Sequence, residues 1–119
     1  MSILCVDDSQ EILEICGTIL EAGGYEVLTA SSGAGALELL QAHSVDAVVI
    51  DNIMPGMTGI DLARQIKNFA PDVLVVMYSG TLSENESFLF VDACLPKGKG
   101  PRALRTLLGS LLGKNCGSK

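Results

Sequence analysis

A chain of 119 residues has the size of one domain and is well above the roughly 40 residues below which a core needs staples. Hydrophobic residues make up 48% of it, which excludes disorder, and no apolar run nears the roughly 18 residues of a membrane span. Eight basic against fourteen acidic side chains give a net charge of −6, which argues against nucleic acid or an anionic membrane as the main partner.

The N-terminus "MSILCVDD" lacks the basic start and length of a signal peptide. Cys5, Cys16, Cys94 and Cys116 show no C-x-x-C spacing and the only histidine is His43, so a zinc site is not expected. The first three cysteines read as small core residues, and Cys116 as exposed. This usage fits a reducing cytoplasm.

Taken in order, "ILCV" (Ile3–Val6) is a short apolar strand. From Ser9 to Leu20 the residues Ile12, Leu13, Ile15, Cys16, Ile19 and Leu20 form a helical stripe. Asp8 and Glu11 have capping-box spacing at its start, and "AGG" stops it. "EVLTA" (26–30) is the second strand, "SSGAGALELLQAH" (31–43) a serine-capped helix, and "AVVI" (47–50) the third strand. "TGIDLARQIKNF" (58–69) is the third helix and "VLVVMYS" (73–79) the fourth strand. "SENESFLF" (83–90) reads as a short fourth helix, with Ser83 and Glu86 spaced as a capping box. "ACLP" (93–96) is the fifth strand, and "PRALRTLLGSLLG" (101–113) the last helix, opened by Pro101. The domain is expected over residues 1–113, with a polar tail at 114–119 that frays.

Apolar strands alternating with helices predict an α/β fold: a doubly wound, five-stranded parallel sheet covered on both faces. In such sheets ligands bind beyond the carboxyl ends of the strands. There this sequence places Asp7 and Asp8, Asp51, Ser79 and Lys97, from strands one, three, four and five. Crowded carboxylates repel unless cations sit among them. Lys97 supplies one charge, and an all-oxygen ligand set points to Mg²⁺ for the rest. Asp51 then suits a nucleophile toward phosphorus, with Ser79 and Lys97 bonding the transferred oxygens. Gly56, Gly59 and Pro55 turn the backbone tightly beside it.

Simpler readings stand beside these. Asp7 and Asp8 suit a cap on the first helix, though one acid is enough for that. Lys97 suits a solvated surface lysine, with Lys99 as an alternative for the site. His43 reads as a surface residue at a helix end, and Met54 and Met57 as turn packing. "SGAG" follows the second strand without the third glycine of a phosphate loop and reads as a flexible helix start.

The acidic pair, "DNIMPGMTG", Ser79 and Lys97, in this order at the ends of strands one, three, four and five, resemble the receiver domain of two-component response regulators, the single-domain chemotaxis type included. The resemblance covers about Ile3 to Leu112 and implies a flavodoxin-like strand order 2-1-3-4-5. It implies that Asp51 is the phosphoacceptor and that Asp7 or Asp8, Asp51 and the Ile53 carbonyl bind Mg²⁺. It also implies that a sensor histidine kinase or phosphotransfer protein donates the phosphoryl group. The chain is then a switch with slow loss of phosphate to water, not a turnover enzyme. Its downstream partner is an unknown protein reached by protein contact, unless the chain is a fragment of a longer regulator. Cys94 stands where the family usually has an aromatic residue, and Gly98 where it usually has proline. The interval Ser79–Lys97 is short by about one helical turn, which predicts a shortened fourth helix, with Phe88 and Phe90 either on a partner surface or over the core.

The missing aromatic and the shortened fourth helix favour a second function, a degenerate receiver that binds without phosphorylation; the intact acid set disfavours it and ranks it behind the phosphoacceptor switch. A third is a catalyst or cofactor carrier of like architecture. A haloacid-dehalogenase-like phosphatase needs an acid two residues after the nucleophile, where Ile53 stands. A flavodoxin needs a neutral, hydroxyl-rich loop where "DDSQE" stands.

Overall fold

The computed structural model describes residues 1–80 and 88–113. Five parallel strands form one sheet: β1 (Ser2–Val6), β2 (Glu26–Ala30), β3 (Ala47–Ile50), β4 (Leu74–Ser79) and β5 (Ala93–Pro96). Their order is β2-β1-β3-β4-β5, as the resemblance implies. Among the described residues four helices surround the sheet: α1 (Gln10–Ala22), α2 (Gly33–Ala42), α3 (Gly59–Phe69) and α4 (Pro101–Gly113).

Two apolar clusters, one on each face, hold these layers together. Strand side chains alternate between faces. Leu4, Val6, Val48, Ile50 and Val75 therefore meet Ala36 and Leu40 of α2 and Leu62, Ala63 and Ile66 of α3. Ile3, Cys5, Ala47, Val49, Val76 and Tyr78 meet Leu13, Cys16 and Leu20 of α1 and Leu104, Leu108 and Leu112 of α4. The three central strands lie between both clusters, which is why their sequences are continuously apolar rather than alternating.

The helices start where hydroxyl side chains accept orphan amides: Ser32 from Gly35 N at 3.0 Å, and Thr58 from Asp61 N at 3.1 Å. At α1 the capping box expected of Asp8 and Glu11 is not formed. Ser9 is the cap instead, its hydroxyl accepting from Ile12 N. Ile15, expected on the buried stripe of α1, is 45% exposed, because Leu13, Cys16 and Leu20 already fill the single face that the sheet covers. Cys5 and Cys16 are core residues, whereas Cys94 on the edge strand is only half-buried.

Part of the helix expected over 83–90 is corrected. Residues 88–90 form a turn in which Val91 N donates to Phe88 O, and Phe90 has a φ of +74°. A left-handed residue cannot continue a right-handed helix. Phe90 packs against the α2/α3 cluster, Phe88 is half-buried and Leu89 is 77% exposed. The rest of that expected helix, its shortening, Cys116 and the tail at 114–119 lie outside the described residues. No helix among the described residues is long and apolar enough to cross a membrane.

Candidate phosphoryl and metal site

The sheet ladder runs into the acids themselves. Asp7 N donates to Ala30 O at 3.2 Å and Asp51 N donates to Val6 O at 3.1 Å, so both backbones are fixed by neighbouring strands. Alternation then sets direction: Asp7 follows Ile3 and Cys5, and Asp51 follows Ala47 and Val49, toward the α1/α4 side. Both are buried, at 4% and 8% exposure, while Asp8 faces solvent. One carboxylate oxygen from each of Asp7, Asp8 and Asp51 lies within 4.8 Å of the others.

Lys97 enters from the end of β5. Its Nζ is 2.7 Å from Asp7 Oδ2 and 3.5 Å from Asp51 Oδ2. The other Asp7 oxygen accepts the Ser9 amide at 2.9 Å. Burial pulls the lysine pKa down, but the hydrogen bond and charge of Asp7, with the charge of Asp51, outweigh it and hold the pKa above the usual 10.5. Lys99, the alternative, is exposed on the turn that follows. Ser79 is buried at the end of β4, in register with Pro96. Ile53 lies two residues beyond Asp51, its side chain 60% exposed.

The turn after Asp51 depends on a close backbone approach. Gly59 N donates to Asn52 O at 2.8 Å, and a Cβ on Gly59 would stand 2.5 Å from Asp51 O. Only glycine fits there. Gly56, at φ +85°, makes the preceding reversal. Met54 and Met57 pack on the α2/α3 cluster, and His43 caps the exposed end of α2.

Beneath the acids lie residues not singled out in the sequence for this place. Cys5, Cys16 and Tyr78 line a small cavity with Asp7 and Asp51. Burial, then the charges of neighbouring groups, push Cys5 and Tyr78 up to about 12 and Cys16 to about 11. Ser9 was not read as the cap of α1; its only signal is a hydroxyl three residues before the amide it bonds.

Three carboxylates and one ammonium leave two negative charges, which one divalent cation balances. The cluster is all oxygen, and its exposed member leaves room for metal-bound water. The residues therefore fit Mg²⁺, a hard ion that keeps several waters.

The sequence model of the response regulator receiver domain matches residues 3–88. This chain belongs to that family. The receiver is 32% identical over 114 residues to "Response regulator SaeR" of Staphylococcus aureus, an alignment covering 92% of this chain and 50% of SaeR. It thus spans half the length of the curated relatives it matches. The receiver is also similar to the response regulator TrrA of Thermotoga maritima, solved in complex with Mg²⁺-BeF. There the TM-score is 0.84 at 29% identity, over 92% of this chain and 97% of TrrA. TrrA has also been solved in complex with the histidine kinase ThkA. A CheY-like receiver domain protein of Methanospirillum hungatei superposes with a TM-score of 0.87 at 27% identity, over 99% of this chain and 98% of its own. Family membership assigns the chain to two-component signalling, as a switch rather than an ordinary enzyme.

Proposed function

We propose that this receiver, residues 1–113, takes a phosphoryl group on Asp51 from the phosphohistidine of a sensor histidine kinase or a phosphotransfer protein. One observation carries the reading: the Asp51 carboxylate sits 3.5 Å from the Lys97 ammonium and within 4.8 Å of two other carboxylates, on a strand end held by its neighbours. An oxygen of Asp51 bonds to phosphorus while the bond from phosphorus to the imidazole nitrogen breaks. That nitrogen keeps the electron pair and the imidazole takes up a proton.

Asp7, Asp8, Asp51 and the Ile53 carbonyl would hold Mg²⁺, which when bound neutralises phosphoryl oxygens. Lys97, anchored on Asp7, donates to one phosphoryl oxygen, and the Ser79 hydroxyl donates to another. The Mg²⁺-BeF and kinase complexes of TrrA support the same ion and the same class of donor here. The receiver loses the group slowly to water and signals to a downstream protein by contact, in the cytoplasm, without binding nucleic acid itself.

The test is intact mass after incubation with Mg²⁺ and acetyl phosphate. The native chain is expected to gain one phosphoryl group and Asp51→Ala none. No gain on the native chain selects a binding module that works without phosphorylation. Continued hydrolysis of an organic phosphate ester, which a receiver charged by acetyl phosphate does not perform, selects a phosphatase.

A further inference from the structure

At the opposite end of β5 from Lys97, Asp92 joins two elements at once. Its backbone N–H donates to Val75 O at 2.8 Å, and its Oδ2 accepts from Val75 N, also at 2.8 Å. The Lys67 ammonium, from α3, lies 2.8 Å from the same oxygen and donates to Val73 O at 2.7 Å. Asp92 therefore grips both polar groups of one residue of β4, and Lys67 ties that grip to the helix.

The chain's path explains the need. A parallel ladder continues only while both backbones run on. Ahead of β5 the chain turns at Phe88–Phe90, with Phe90 in the left-handed region, so no further strand residue runs beside the start of β4. The Asp92 carboxylate takes the Val75 amide in place of a backbone carbonyl. β5 has only four residues, lies at the sheet edge and pairs with β4 alone. Its register otherwise rests on four residue pairs with β4 and on Ala93 and Leu95 against the α1/α4 cluster.

That register decides where Lys97 emerges. A slip of one residue moves a strand end by about 3.3 Å and turns its side chains to the other face. The 2.7 Å bond from Lys97 to Asp7 does not survive such a slip. We propose that Asp92 is a positioning residue: by bonding both the N–H and the C=O of Val75 it locks the register of β5, and so sets the Lys97 ammonium against Asp7 and Asp51. Under the phosphoacceptor reading above, Asp92 then governs the chemistry from the far end of the strand.

Asp92 and Lys97 are separated by a strand of roughly 16 Å and share no partner among the described residues, so independent contributions to stability should add. Urea midpoints of the native chain, Asp92→Ala and Asp92→Asn, each with and without Lys97→Met, test this. Asp92→Asn keeps an acceptor for the Val75 amide and loses only the charge opposite Lys67. The Lys97→Met shift is expected in the native and Asp92→Asn backgrounds, and to fall by at least half in Asp92→Ala. Val75 amide exchange should quicken at least tenfold in Asp92→Ala and stay within about threefold of native in Asp92→Asn. An unchanged Lys97→Met shift in Asp92→Ala overturns the proposal and leaves Asp92 an ordinary structural anchor. Should Asp92→Ala not fold, Asp92→Glu, which displaces the acceptor by one methylene, takes its place with the same two outcomes. These readouts need no phosphorylation. A native chain that gains no phosphoryl mass sinks only the phosphoacceptor reading.

Discussion

Lys97 is bonded to Asp7 at 2.7 Å and only approaches Asp51, at 3.5 Å. The ammonium is thus anchored on an acid from another strand. Asp51 keeps an oxygen less committed to any partner, as a nucleophile requires.

Removing the ammonium tests that anchor. Lys97→Met leaves the buried Asp7 carboxylate with one hydrogen bond among the described residues, from the Ser9 amide. A hydrogen bond to a charged group contributes about 1.5–3 kcal/mol, so a loss of that order in urea-unfolding stability is expected without Mg²⁺. A variant as stable as the native chain would mean that the pair breaks even against its desolvation.

Divalent metal should stabilise the folded chain by binding only where the three acids meet. At a hundredfold excess over its dissociation constant a ligand of the native state adds about 2.7 kcal/mol. Thermal unfolding with MgCl₂ and with EDTA should therefore differ clearly for the native chain and hardly at all for Asp51→Ala. Asp7→Asn should lose more affinity than Asp8→Asn, since Asp7 is buried and fixed by the ladder whereas Asp8 is exposed. Titration calorimetry that ranks them the other way contradicts this account of the site.

Stability should fall at alkaline pH. Lys97 is held above 10.5, Cys5 and Tyr78 rise to about 12, and Cys16 to about 11. All four folded-state values exceed the unfolded ones. Their contribution is complete below the unfolded values, the lowest being the ordinary thiol value of 9.0, and is lost as pH rises toward 12. Unfolding midpoints should be flat with respect to these groups below pH 9 and decline above it. A decline complete before pH 9 would falsify the assignment.

Gly59→Ala should destabilise by roughly 1–3 kcal/mol, the usual cost of forcing a methyl group into filled space. The new Cβ meets Asp51 O at 2.5 Å and Asn52 Cα at 2.8 Å, both backbone atoms that cannot swing aside. Because the strain falls on Asp51 itself, phosphoryl uptake should slow as well. A melting temperature unchanged from native rules out the close approach.

Short-range signals were the legible ones. β3 and β5 fall on the residues predicted from apolar runs alone, as does α4 from its leucine spacing. The acids, Ser79 and Lys97 were visible as the residues standing just at or beyond strand ends, and the strand order brings Asp7, Asp8, Asp51 and Lys97 together. Competition between near neighbours was not legible. Asp8 and Ser9 both suit a cap, and Ser9 takes it because Asp7 accepts the Ser9 amide and the Asp8 carboxylate joins the acid cluster. Ile15 matched the stripe of α1, but periodicity does not say how wide a face the sheet will cover. The grip of Asp92 on Val75 spans 17 residues of sequence, and no local pattern encodes it.

The same short β5 bears on self-association. An open sheet margin invites a strand from another molecule, since its outer N–H and C=O groups await partners. Here that margin is four residues long, and since the Asp92 N–H turns inward to Val75, alternation points outward the N–H and C=O of Ala93 and Leu95 only. A template so brief discourages intermolecular β-stacking along that side of the sheet.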